Sequence, residues 1–185
     1  MRYAGAMKAL VLLARCSALL ALLAMPAWAD TGNVTPQGFV IIWRDEVAAP
    51  PADLWRAITQ LPRWWSGGHT YSGQASNLSL DVQAGGCWCE RWGDGNSVQH
   101  GQVVMVQPGR TLRMLANLGP LQELPVNGVL TLTIAMQETK TVLRMTYRVG
   151  GPPDVGLDRL APVVDRVLGE QFRRLKSLAE SGRPE

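Results

Sequence analysis

Residues 154–181 carry the longest unbroken pattern in the chain, and it restricts what the rest can be. Leu157, Leu160, Val164, Val167, Leu168, Phe172, Leu175 and Leu178 recur at steps of three and four. That is the period of one apolar helical face. Asp158, Arg159, Asp165, Arg166, Glu170, Arg173, Arg174 and Lys176 fill the other faces. Pro152-Pro153-Asp154 precedes the pattern and Gly182-Arg183-Pro184 follows it, so both ends carry stop signals. A helix of about 24 residues is about 36 Å long. So long an apolar face needs a large partner, and the upstream candidate is a set of strands. The helix is then a plain core element or the lid of a cavity.

Those strands show as alternation. Leu78, Leu80 and Val82 share a face, and Gly85-Gly86 turns the chain into Cys87 to Trp92. Gly93-Asp94-Gly95-Asn96 is a hairpin signal before Val98 to Gln107. Pro108-Gly109 turns into Thr111 to Leu118, and Gly119 to Gly128 reads as a loop. Leu130, Leu132, Ile134 and Met136 alternate with threonines, and Leu143, Met145, Tyr147 and Val149 alternate with polar residues. This is the pattern of an antiparallel sheet with one wet face. Upstream, Phe39 to Val47 is rich in strand formers, Pro51 to Thr59 reads as a short helix, and Pro62 opens a second short turn. Residues 67–73 form a glycine-rich loop. The class is α+β: a curved antiparallel sheet of about seven strands gripping the C-terminal helix, with two short helices after the first strand.

The first 29 residues read as a signal peptide. Arg2 and Lys8 precede a mostly apolar run from Ala9 to Met25, and Ala27-Trp28-Ala29 is a small-x-small cleavage site. Met7 offers a second start, and Arg15 breaks the run, which is short for a membrane span. The expected organisation is a signal peptide (1–29), a polar leader (30–38), one domain (39–181) and a tail (182–185). The mature chain would be periplasmic or secreted, with no stable membrane anchor. The net charge of +3 comes wholly from Arg2, Lys8 and Arg15, so the mature chain is neutral. It has no basic stripe for nucleic acid. Cys87 and Cys89 would sit in an oxidising compartment. Residues two apart on a regular strand have Cα atoms roughly 6.6 Å apart, near the upper limit for a disulfide, so two free thiols or a labile bridge are expected.

Local motifs point to one family. Ala49-Pro50-(x)4-Trp55, Pro62-Arg63-Trp64-Trp65, Gly85-Gly86-Cys87-Trp88, Gly101-Gln102-Val103-Val104-(x)3-Pro108 and the helix from Val163 to Glu180 appear in this order. Together they resemble the START-like (SRPBCC) superfamily, in the branch of activator-of-heat-shock-protein-ATPase homologues and polyketide cyclase-like proteins. The resemblance covers about Phe39 to Glu180. It implies a helix-grip fold with a hydrophobic cavity, and it implies no particular reaction.

Candidate site residues follow. All six tryptophans of the mature chain lie before residue 93. Trp64 and Trp65 are adjacent, so one is expected in the core and the other toward the cavity or solvent. Trp88, Glu90 and Trp92 alternate and should share a face. If that face is inward, Glu90 is a carboxylate raised in pKa by desolvation, able to bind a polar ligand tip or act as an acid. If it is outward, Glu90 is solvated. His69, Tyr71, His100, Glu123 and Tyr147 are the other polar candidates, with His100 read as a sheet-face residue. The weak catalytic candidates are Glu90 and His69. The expected ligand-binding set is Trp64, Trp65, Trp88, Glu90, Met114, Leu132, Met145, Tyr147, Val164 and Leu168. No metal site and no cofactor are indicated, since Cys-x-Cys without His-x-His is not a zinc spacing, and no nucleotide or triad fingerprint occurs. Three functions fit: a carrier of a small hydrophobic or aromatic ligand, a polyketide cyclase-like or hydrolytic enzyme, or a protein-interaction module. The oligomeric state is not legible.

Overall fold

The computed structural model describes residues 29–184, with side chains placed from Asn33 onward. Apart from Ala29, the predicted signal peptide lies outside the described residues. The strands are β1 (Ala29–Thr35), β2 (Gly38–Val47), β3 (Leu78–Leu80), β4 (Cys87–Trp92), β5 (Asn96–Gln107), β6 (Thr111–Ala116), β7 (Asn127–Gln137) and β8 (Lys140–Gly150). Helices α1 (Pro51–Thr59) and α2 (Leu61–Trp64) follow β2, and α3 (Leu157–Ser181) comes last. All eight strands form one sheet, in the order β1-β2-β8-β7-β6-β5-β4-β3. Every neighbouring pair is antiparallel. This is the helix-grip fold.

One strand is additional to the expected seven. Most of the segment expected as a polar leader lies in β1, where Ala29 pairs with Trp43 and Thr35 with Gly38. Its residues, ADTGNVT, are mostly poor strand formers. The hydrogen-bonding edge of β2 supplies the order that propensity does not.

The apolar face of α3 packs on the β1, β2 and β8 side of the sheet. Its second half is sealed: Phe172, Leu175 and Leu178 are all buried. Close approach depends on Gly169. The ring of Trp43 on β2 occupies the space a side chain there would need, a use only glycine allows. The Trp43 indole donates to Asp165 Oδ1 at 2.9 Å, and its ring lies 6.0 Å from that of Phe172. The first half of α3 differs. Leu160, Val164 and Val167 belong to the same apolar face yet remain half-buried. At this end something other than the sheet must face them.

Tyr147 ties the sheet together where β6 ends. Its hydroxyl donates to the Ala116 carbonyl at 2.8 Å and accepts from the Leu118 N–H at 3.4 Å. Burial pushes its pKa well above the usual phenol value. Tyr147→Phe orphans a buried carbonyl, so we expect a loss of about 1–2 kcal/mol in urea denaturation. An unchanged midpoint would show that water replaces the hydroxyl.

Candidate functional site

The half-buried turns of α3 face a cavity of about 390 Å³. Leu160, Val163, Val164, Val167 and Leu168 form one wall. Trp65, just past α2, forms another, and Leu118 to Leu121 with Glu123 form a third. His69, Thr70 and Tyr71 stand at one side, and His100 of β5 completes the lining. Beyond Ala116 the chain leaves the sheet into a 3₁₀ turn, Gly119–Glu123, and this turn walls the cavity where a strand would otherwise continue.

His100 reaches this cavity through a break in register. Trp88 pairs with Gly101, but the next residue, Cys89, pairs with Gln99. His100 is therefore the extra residue of a β-bulge, which re-aims a side chain. It is 5 % exposed and Glu90 is 0 % exposed, and His100 Nε2 lies 2.8 Å from Glu90 Oε2. Glu90 also accepts the backbone N–H of Tyr71 on Oε2 at 3.0 Å and that of Ser72 on Oε1 at 2.6 Å. One carboxylate thus clamps the 67–73 loop and the imidazole together.

Glu90 is inward, as one of the two readings had it, but its pKa moves the other way. Burial is the largest single influence and raises it, yet the hydrogen bonds from Ser72, Tyr71 and His100 together outweigh burial and leave the carboxyl below its usual value. Glu90 is thus held ionised, which counts against the expected acid role. At the rim, His69 Nε2 lies 3.0 Å from Glu170 Oε2 on α3. Glu170 is likewise lowered: burial raises it, while His69, Ser66 and Arg174 offset that and more. Gln171, fully buried, accepts the Ser66 N–H at 2.7 Å, and Arg174 Nε donates to the Trp64 carbonyl at 2.8 Å. Polar residues of α3 therefore anchor the segment that carries His69 and Tyr71.

Of the ten residues expected to bind ligand, Trp65, Val164 and Leu168 line the cavity. Trp64, Trp88, Met114, Leu132, Met145 and Tyr147 lie in the closed core. Glu90 stands behind His100. Trp65 packs edge-on against both Trp64 and Trp88, with centroids 5.6 and 4.7 Å apart. The Trp88 indole nitrogen is the one sealed side-chain polar atom without a partner among the described residues. Trp92 is half-buried, and Tyr71, 50 % exposed, stands at the mouth with its ring 5.8 Å from that of His100. Glu123 is exposed and lines the cavity with the same turn that the Tyr71 hydroxyl meets at Gly119. Sequence reading had His100 as a sheet-face residue among the polar candidates without assigning it to the cavity, and it passed over Gln171. Gly101, a glycine inside a strand pattern, is the signal that marks the bulge.

Comparison with known proteins agrees with this architecture. Residues 44–180 match the family model described as polyketide cyclase / dehydrase and lipid transport. The chain belongs to that family. Solved structures show the same fold. A conserved protein of unknown function from Enterococcus faecalis aligns with a TM-score of 0.59 at 15 % identity, covering 85 % of this chain and 81 % of that one. A Mesorhizobium loti protein aligns at 0.55 and 24 % identity, covering 75 % and 95 %. The Aha1 dimer from Colwellia psychrerythraea aligns at 0.52 and 18 % identity, covering 77 % and 97 %. No curated protein matches the chain.

In this family member Cys87 and Cys89 form a disulfide, with Cα atoms 5.4 Å apart. The separation expected of a regular strand does not apply, because β4 runs opposite the bulge. Thiol titration of unreduced native protein should therefore find neither cysteine, and reduction should release both. Two free thiols in unreduced native protein would contradict this.

Proposed function

We propose that this chain is an exported binding protein that holds a small hydrophobic molecule between α3, the 67–73 loop and the 118–124 loop. The observation that carries the reading is the cavity of about 390 Å³. It lies within the roughly 300–1,000 Å³ of small-molecule sites and has the expected mix of apolar walls and few polar groups. The family description includes lipid transport, which supports a carried apolar ligand. The Cys87–Cys89 bridge supports export, since disulfides persist in oxidising compartments.

The test is titration of the mature protein with 1-anilinonaphthalene-8-sulfonate. Saturable one-site binding, a change in tryptophan emission and a rise in Tm by mass action are expected. Absence of saturable binding would overturn the reading. Export has its own check: N-terminal sequencing of the exported protein should begin at Asp30, and an uncleaved membrane form would contradict it.

A second reading, acid–base catalysis, is favoured by the Glu90–His100 pair in the cavity wall. Turnover, rather than stoichiometric retention, of the molecules that co-purify would decide for it. The cavity counts against a pure protein-interaction role, which would leave the interior filled.

A further inference from the structure

The Cys87–Cys89 bridge stands behind the cavity wall, at the register break between β4 and β5. It closes around a single residue, Trp88. Side chains alternate along a strand, so Trp88 and Glu90 point inward and the two cysteines point outward. Trp88 and Glu90 are fully buried, whereas Cys87 is half-buried and can be reached from solvent. Contacts run from this segment into the cavity. The Trp88 ring packs edge-on against Trp65, with centroids 4.7 Å apart, and lies 5.6 Å from the ring of His100. Glu90, next to Cys89 in the chain, accepts the N–H groups of Tyr71 and Ser72 at 3.0 and 2.6 Å. Trp65, His100 and Tyr71 all line the cavity. The bridge thus sits on the outer face of the strand whose inner face supports the site.

Bridge and bulge occupy the same place. The span from Cys87 to Cys89 on β4 faces the longer span from Gln102 to Gln99 on β5. The bridge holds the two cysteine Cα atoms 5.4 Å apart, where a regular strand takes roughly 6.6 Å. With β4 held short, the extra residue of β5 has no room in the ladder and stays out of it as a bulge. Reduction lets β4 lengthen, and Glu90 moves with Cys89. We propose that the bridge is a redox switch on the cavity: the disulfide fastens the 67–73 loop through Glu90 and Trp88, and the dithiol releases it and weakens ligand binding. This rests on the binding reading above and adds its regulation. A released loop must be ordered again when ligand binds, at a cost in affinity. The reductant is a dithiol. Its thiolate attacks Sγ of Cys87, the more exposed sulfur; the S–S bond breaks, and Cys89 leaves as a thiolate and is protonated. The second thiol of the reductant then displaces Cys87 and closes the reductant's own disulfide, so two electrons and two protons pass to the protein.

The test compares the mature wild-type protein before and after reduction with dithiothreitol. Hydrogen exchange at the Tyr71 and Ser72 amides should become about tenfold faster in the reduced protein, while amides of the β7–β8 ladder keep their rates. Affinity for the anilinonaphthalene dye should fall about tenfold, about 1.4 kcal/mol, and return when oxidised glutathione restores the bridge. The double variant Cys87→Ser, Cys89→Ser should bind as the reduced wild type does and ignore dithiothreitol; the wild-type measurements stand whether or not this variant folds. Unchanged exchange at Tyr71 and Ser72 would overturn the proposal. So would equal acceleration in the β7–β8 ladder, which would make the bridge a general staple, and so would equal or tighter dye binding after reduction. These results would leave the binding reading intact. If the dye binds neither form, the binding reading falls, and the exchange rates alone decide whether the bridge controls the loop.

Discussion

Replacing Glu90 by glutamine will cost the domain about 2–4 kcal/mol at neutral pH. The side chain keeps its shape but offers one acceptor oxygen instead of two. If that oxygen takes the Oε2 position, the new NH₂ meets the Ser72 N–H. If it takes the Oε1 position, the NH₂ meets the Tyr71 N–H and the His100 ring. Either way a buried donor loses its partner, at about 1–3 kcal/mol for each one stranded. The pH dependence carries the proof. Because the folded-state pKa of Glu90 lies below its ordinary 4.5, its stabilisation is fully present above about that pH and is lost as pH falls through the lowered value. The gap between wild type and Glu90→Gln in urea denaturation should therefore be constant near neutrality and shrink in acid. Two curves that run parallel down to pH 3 would mean that the carboxylate charge contributes nothing.

Val164→Trp should abolish ligand binding and leave the fold intact. Val164 is half-buried because it faces the gap. An indole placed there fills space that already exists, so it displaces ligand rather than protein atoms. Affinity for the anilinonaphthalene dye should drop by roughly a hundredfold or more, about 2.7 kcal/mol, with Tm unchanged or higher. Met145→Trp supplies the contrast. The sequence presents both positions as parts of one apolar lining, but Met145 is 1 % exposed on β8, opposite Trp43 and Leu132 on its neighbouring strands. Enlarging it overpacks a closed core, which costs about 1–3 kcal/mol. If Val164→Trp destabilises the domain as much as Met145→Trp does, the gap is not available space and the binding proposal fails.

These two positions show what was legible in the sequence. Periodicity identified α3, the strands from Leu78 to Gly150 and the short helix at Pro51–Thr59, because burial of one face leaves a mark at every second residue or at every third and fourth. It could not show how far along the sheet the helix stays in contact. Val164 and Phe172 look alike in the pattern, yet one lines a gap and the other is sealed. That difference depends on what each turn of the helix meets, Trp43 of β2 at Phe172 and the cavity walls at Val164, a property of several segments together. β1 was missed for a related reason: its residues have weak strand preference, and its pairing comes from the edge of β2. His100 was named as a candidate on a sheet face but not assigned to the cavity, because alternation assumes an unbroken register. Counting back from Val103 by twos puts Gly101 and Gln99 inward and His100 outward. The extra residue reverses that phase, and only the pairing of Trp88 with Gly101 and Cys89 with Gln99 reveals it.

The bulge also has a meaning in genetic terms. Deleting one codon from the stretch encoding Gln99 to Gly101 would leave β4 and β5 free to pair without interruption, since the strands on either side already match. Sheet, helix and cavity would persist, but the imidazole would lose the register that holds it against Glu90. The chemistry of the chamber is thus separable from its shape. A relative one residue shorter at this point is expected to keep the strand pairing and to lose the contact between His100 and Glu90.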